Sequence, residues 1–333
     1  MVKNSRRKKQ ARRAAAANGT NYTTALRTQR RQPELPEHAA FPRPGSAAFD
    51  DAIRLAGEGV MRIGVTDNGY LDWDLNALQH GILLGRCGSG KTVTLDTIVT
   101  YGLARPDELE LLVCDPSRIE LSWIADHVPA GSYATTGNEM QRVLATALRR
   151  AARTQSLLDA TGARSLLELR AMLREDPTLE ERFGPAPKMT LVVVDDLVHL
   201  TAHDPHDPRG KEVAEGLRRC LEELSELGPE LGVNFIWSTQ HMNMRAIGRQ
   251  LSRMPGLRVG LGPLEKYQAT QLFGSSHYSE LYASSAKGRA IVRDGQGDHE
   301  VQMFELLTRE NPDYPPPPGL TTSIEVLRYC SAE

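Results

Sequence analysis

Several things are scarce or missing in these 333 residues, and each absence narrows the choice of function. The four cysteines, Cys87, Cys114, Cys220 and Cys330, lie far apart and have no metal-ligand spacing. That argues against a zinc module or a disulfide scaffold. A thiol at Cys87 suits a reducing compartment, and Cys114 and Cys220 sit in apolar patterns as small core residues. No apolar run approaches the ~20 residues that cross a bilayer, so no membrane span is expected. The charged start is not followed by an apolar segment, so no secretory signal is expected and a cytoplasmic location is predicted. Acidic residues are absent from positions 1–33, which hold ten Lys and Arg, leaving 30 basic against 42 acidic residues in the rest. The net charge of −2 therefore hides a basic arm on an acidic body, the footprint of a polyanion-binding segment. A solubilising tail or a basic transit peptide are the blander readings of the same arm.

Against those absences stands one dense stretch, GRCGSGKT, Gly85 to Thr92. It fits the phosphate-binding loop pattern G-x-x-x-x-G-K-[ST] at every fixed position. Gly85, Gly88 and Gly90 let the chain turn tightly and bring N–H groups close to phosphate oxygens. Lys91 reaches the β- and γ-phosphates, and Thr92 offers a hydroxyl to Mg²⁺. The context is also right. Ile82-Leu83-Leu84 is a strand-like run before the loop, and Val93, Leu95 and Ile98 follow on a helical path. The predicted nucleotide-holding set is Gly85, Arg86, Cys87, Gly88, Ser89, Gly90, Lys91, Thr92 and Val93. The predicted ligands are ATP and Mg²⁺.

The rest of the chain alternates strands and helices. Residues 1–45 read as a basic arm and Pro-rich linker, with helices at Ser5–Ala17 and Thr20–Arg31. Ala47 to Leu55 is a short helix candidate, and Arg62–Val65 with Tyr70–Leu75 predicts a hairpin about Asp67-Asn68-Gly69. Leu109–Cys114, Thr190–Val194 and Gly232–Ser238 read as buried strands; Leu257–Leu261, Arg289–Val292 and Val301–Leu306 are shorter candidates. A helix is predicted from Asn138, with Gln141 as its capping partner, and another over Lys211–Leu227. Arg164–Phe183 reads as a helical insertion. Residues 311–333 read as a Pro-rich tail, leaving 46–310 as the folded domain. The expected fold is α/β, a mostly parallel sheet covered by helices on both faces.

In such sheets ligands bind at the carboxyl ends of the strands. Asp195, about a hundred residues after the loop, ends an apolar strand and is placed to hold Mg²⁺ with Thr92. Asp196 is placed to polarise the attacking water, and Gln240 to sense the γ-phosphate or orient that water. The doubled His-Asp-Pro of residues 203–208 suggests a surface loop more than a metal site, because proline breaks the helix that would align ligands. His241 reads as filler at a strand end.

Four motifs in order then resemble the FtsK/SpoIIIE family of DNA-translocating ATPases. They are MRIGVTDNGYLDWDLNALQHGILLGRCGSGKT, ELLVCDPSRIELS, LVVVDDLVHL and GVNFIWSTQHMN, and the likeness spans about residues 58–305. The resemblance implies a RecA-like P-loop NTPase with an N-terminal hairpin. It also implies a homo-oligomeric ring, a hexamer, with ATP at subunit interfaces and double-stranded DNA in the channel. An arginine from the neighbouring subunit would complete the site; Arg258 is the first candidate and Arg253 the second.

The chain also departs from the family. Asp196 stands where the family has Glu, one methylene longer, and Ser117 replaces the lysine of its D-P-K segment. Tyr267-Gln268 replaces an S-R pair. With no room for a C-terminal winged-helix module and no N-terminal anchor, a stand-alone motor is expected, with any membrane-bound or relaxase-type partner unidentified. The competing readings are a nucleotide-switched DNA-binding adaptor with weak turnover, which Asp196 motivates, and a protein-secretion ATPase of the same fold.

Overall fold

A computed structural model describes residues 35–77, 80–197, 208–227, 229–241, 255–281, 286–308 and 319–332. The helices expected in the basic arm, Arg253, the His-Asp-Pro repeat up to residue 207 and the Pro-rich run 311–318 lie outside the described residues.

One sheet of eleven strands organises the chain. In chain order the elements are β1 (Ala39–Ala40), α1 (Ala47–Gly57), β2 (Val60–Thr66), β3 (Gly69–Asp74), β4 (Gly81–Gly85), α2 (Lys91–Ala104), β5 (Leu109–Cys114) and β6 (Tyr133–Ala134). Then come α3 (Gly137–Thr161), α4 (Leu166–Glu175), α5 (Pro177–Phe183), β7 (Met189–Val194), α6 (Pro208–Glu226) and β8 (Val233–Thr239). The chain closes with β9 (Leu257–Leu261), α7 (Lys266–Phe273), α8 (Tyr278–Leu281), β10 (Arg289–Asp294), β11 (Gly297–Glu305) and α9 (Ser323–Cys330).

The parallel half runs β9-β4-β8-β7-β5-β6, with β4 between β8 and β9. Every residue of β7 is buried, as its unbroken Met-Thr-Leu-Val-Val-Val run requires of a strand covered on both faces. Helices α1, α2 and α9 pack on one face, and α3 and α6, with α4 beside α3, on the other. The sheet is thus the expected helix-covered, mostly parallel one. Its other half is antiparallel: β10 joins β9, then β11, β2 and β3 follow outward. Three strands, β11, β10 and β9, therefore lie between the β2–β3 hairpin and β4, although only a short link separates them in sequence. Its apolar side chains Met61, Ile63, Leu71 and Trp73 need a covered face, and α1 lies against β2.

Two boundaries differ from the sequence reading. Phe41, placed in the linker, is 1% exposed and packs edge-on to Phe49 and Phe304, with ring centroids 6.4 and 5.9 Å apart. Burying such a ring contributes roughly 2 kcal/mol. Residues 323–330, placed in the tail, form α9, which seats Val326 at 0% exposure and packs against α2, where Thr100 Oγ1 donates to Ser323 Oγ at 2.9 Å. Both segments are core, because prolines beside a segment say nothing about whether an aromatic or aliphatic side chain inside it finds a partner.

Candidate active site

The loop after β4 takes its shape from its glycines. A Cβ on Gly85 would lie 2.4 Å from Ser89 Oγ and 2.8 Å from Leu261 O, so only glycine lets the strand pass there. Gly90 has φ 106° and caps α2 without a side chain, which leaves the amides of the first helical turn directed to the cavity in front. Lys91 opens the helix, and its Nζ donates to Gly85 O at 2.8 Å and Arg86 O at 3.0 Å. Burial lowers the proton affinity of this amine, and the charge of Asp195 opposes that.

Across the cavity stands Asp195, 7% exposed at the end of β7. Ser238 Oγ donates to its Oδ1 at 2.6 Å, and the Asp195 amide donates to Cys114 O at 3.0 Å. Burial pushes the Asp195 pKa up; the Ser238 hydrogen bond works against that, and the charges of Asp115, Asp196 and Glu120 add to it. Asp196 sits in the left-handed region at φ 44°, unusual for a residue with a Cβ. Its amide donates to the same Ser238 Oγ at 3.0 Å, so one hydroxyl fixes both acids.

These groups converge on a cavity of about 510 Å³. Of the residues predicted from the sequence, Cys87, Gly88, Gly90, Lys91, Thr92, Val93, Asp195, Asp196 and Gln240 line it. Gly85 and Arg86 take part through the carbonyls that hold Lys91. The Arg86 side chain points elsewhere, to Glu265 at 2.8 Å, and Ser89 packs its hydroxyl beneath Gly85. Arg258 is not brought to this cavity. It pairs in register with Ile82, near the amino end of the strands, and its guanidinium donates to Pro255 O at 3.2 Å and Leu272 O at 2.9 Å.

The cavity has walls that sequence reasoning missed. Ser117, Ile119 and Glu120 come from the loop after β5, and Ser238 from β8. Lys287 and Gly288 come from the turn before β10, where the Gly288 amide donates to Ser89 O at 3.2 Å, and residues 302–305 come from β11. The first group had a signal: an Asp-Pro turn ending a buried strand, at the same sheet edge as Asp195. The second group had none, since a turn before one inner strand and the end of the next carry no pattern that places them beside the phosphate loop.

The donor set fits a magnesium nucleotide. A buried carboxylate with raised proton affinity stands opposite a part-buried amine with lowered affinity, so each is stabilised by a ligand carrying the opposite charge. Among the described residues no cluster of three or more His, Cys, Asp or Glu could cage a metal by itself.

A glycine loop ending a parallel strand, a lysine opening the helix behind it and an acid ending a nearby strand define a P-loop ATPase. Residues 57–243 match the FtsK/SpoIIIE family, and the chain belongs to that family. It is 25% identical over 178 residues to DNA translocase FtsK of Oceanobacillus iheyensis, covering 52% of this chain and 22% of that protein. It is 25% identical over 244 residues to DNA translocase FtsK of Halalkalibacterium halodurans, covering 69% and 30%. The chain thus spans well under half the length of these curated relatives. Among solved structures, it resembles the pCW3 conjugation coupling protein TcpA, a monomer form with ATPγS, with a TM-score of 0.69 and 20% identity over 82% of this chain and 71% of that one. EssC (ATPases 2 and 3) of Geobacillus thermodenitrificans gives 0.65 and 15% over 90% and 51%. The cytoplasmic domain of the Thermomonospora curvata type VII secretion ATPase EccC gives 0.60 and 18% over 89% and 33%. At these identities the structural likeness establishes the fold. No helix among the described residues is long and apolar enough to cross a membrane.

Proposed function

We propose that the chain is an ATP-driven motor acting on double-stranded DNA, working as a hexameric ring, with residues 35–332 as the motor and residues 1–33 as a DNA-tracking arm. The observation that carries the reading is the placement of Lys91 and Asp195 on one cavity, across a space the size of a nucleotide. The loop amides and Lys91 bind the triphosphate, and Lys91 exchanges its two carbonyl partners for phosphate oxygens. Thr92 and Asp195 would hold Mg²⁺, which would supply charge neutralisation on the triphosphate. Asp196 and Gln240 orient the water that attacks in line. Arg258, remote from its own chain's cavity, is the arginine offered to the next subunit, releasing Pro255 O and Leu272 O to do so. The DNA translocases among its sequence relatives support the choice of substrate.

The nucleotide-switched adaptor is the second reading, favoured by the short Asp196 side chain on a left-handed backbone. ATP turnover with and without duplex DNA separates the two. A motor shows DNA-stimulated turnover that falls about 10²-fold or more in Lys91→Ala. An adaptor binds ATP and DNA with little turnover in either protein, and a chain that hydrolyses ATP but ignores DNA belongs with protein secretion.

A further inference from the structure

The loop after β5 is fixed at both ends. At its start Asp115, fully buried, accepts from Ser117 Oγ at 2.7 Å, from the Arg118 amide at 2.9 Å and from Tyr133 Oη at 2.9 Å. At its far end Trp123 Nε1 donates to Asp96 Oδ1 of α2 at 3.0 Å, and Leu121 and Ile124 are fully buried. Between these anchors Arg118 adopts φ 59°, which turns the chain outward. The side chains left projecting at the cavity are Ile119, 73% exposed, and Glu120. A backbone held this firmly, with a left-handed non-glycine residue at its bend, is built to present something.

Glu120 lines the cavity together with Lys91, Asp195 and Asp196. Its carboxylate accepts no hydrogen bond and joins no ion pair among the described residues. That leaves it unengaged on the wall it shares with the amine of the phosphate loop and the acid that ends β7. Asp196 offers a carboxylate one methylene shorter than Glu, on a backbone pinned to Ser238. Of these two acids, Glu120 has the longer reach.

We propose that Glu120 is the carboxylate that accepts the proton of the attacking water, with Asp196 restricted to orienting that water. This rests on the ATPase reading above. As the water oxygen bonds to the γ-phosphorus, the bond from that phosphorus to the β–γ bridging oxygen breaks, and its electron pair leaves with ADP. The water proton passes to the Glu120 carboxylate and from there to inorganic phosphate or solvent.

The test compares Glu120→Gln, Glu120→Asp and Asp196→Asn in the full chain, measuring kcat and KM for Mg-ATP with duplex DNA across pH, affinity for a fluorescent ATP analogue, and melting temperature. Expected for Glu120→Gln are a kcat about 10²–10³-fold lower, unchanged analogue affinity, unchanged melting, and loss of the acid limb of the kcat profile. Glu120→Asp recovers part of the rate, and Asp196→Asn is slower than wild type yet keeps the acid limb. Turnover of Glu120→Gln within about twofold of wild type, or an acid limb that disappears only in Asp196→Asn, overturns the assignment and leaves the ATPase reading standing. A wild-type chain that binds no analogue and hydrolyses no ATP removes both.

Discussion

Asp96 shows how one side chain near the site is governed by where it is buried. It lies one turn beyond Thr92 on α2, 3% exposed, and burial pushes its carboxyl up to about 8, against the pull of the Trp123 hydrogen bond. Its ordinary value is 3.8, so between pH 4 and 8 the folded chain holds a proton that the unfolded chain has lost. Asp96 therefore makes stability fall as pH rises through that window. Asp96→Asn keeps an acceptor for Trp123 and removes the titration. The variant is expected to lose stability less steeply from pH 5 to 9, gaining on wild type by up to a few kcal/mol at the alkaline end. Urea unfolding at several pH values reads this, and parallel curves for the two proteins would refute it. That Lys91, Thr92 and Asp195 would share one cavity was legible in the sequence, because the loop motif and the acid-ending strand are each contiguous patterns that end at the same edge of a parallel sheet. Ser238, which holds both acids, was not, because a serine in an apolar strand reads as a neutral core position until its partners are in place.

At the scale of elements, α3 begins two residues earlier than its sequence suggests. The cap is Thr136, whose side chain accepts from the Glu139 amide, while the Glu139 carboxylate accepts from the amides of Thr135 and Thr136 at 3.1 and 3.0 Å. Asn138 lies inside the helix, and Gln141, read as the capping partner, instead donates across to Val213 O of α6 at 3.2 Å. Two overlapping capping patterns were present in the sequence, and contact with α6 decided between them. Thr136→Ala should destabilise the fold by about 1 kcal/mol, and Asn138→Ala by much less. Urea denaturation midpoints at equal slope compare them. The strands were legible as elements because apolar runs and turn residues bound them. That the end of β11 and the turn before β10 would form a wall of the cavity was not, because pairing of β10 with β9 and β11 sets that position and strand order is not written in any one strand.

The whole molecule joins an acidic motor to a basic arm. With ten positive charges in residues 1–33, their removal should weaken duplex binding and flatten its dependence on salt. The slope of log K against log salt should shrink by about 0.9 for each phosphate that the arm no longer neutralises. An unchanged slope in the shortened protein would leave the arm with no role on DNA. The folded unit should survive that truncation, since its described core begins with Ala39 and Phe41, and it should not survive removal of α9, whose Val326 is fully buried beside α2.

The amino-acid sequence alone determined the class of chemistry, because a phosphate loop works through backbone amides and one adjacent lysine, all contiguous in the chain. It determined the strand–helix alternation for the same reason: periodicity is local. Tertiary structure alone decided which loops share the cavity, that Glu120 lines it with Lys91, that Arg258 stays at the far end of the sheet, and that both flanks of the motor belong to its core. Those facts depend on strand order and burial, and both come from pairing between residues as distant as Ala39 and Phe304.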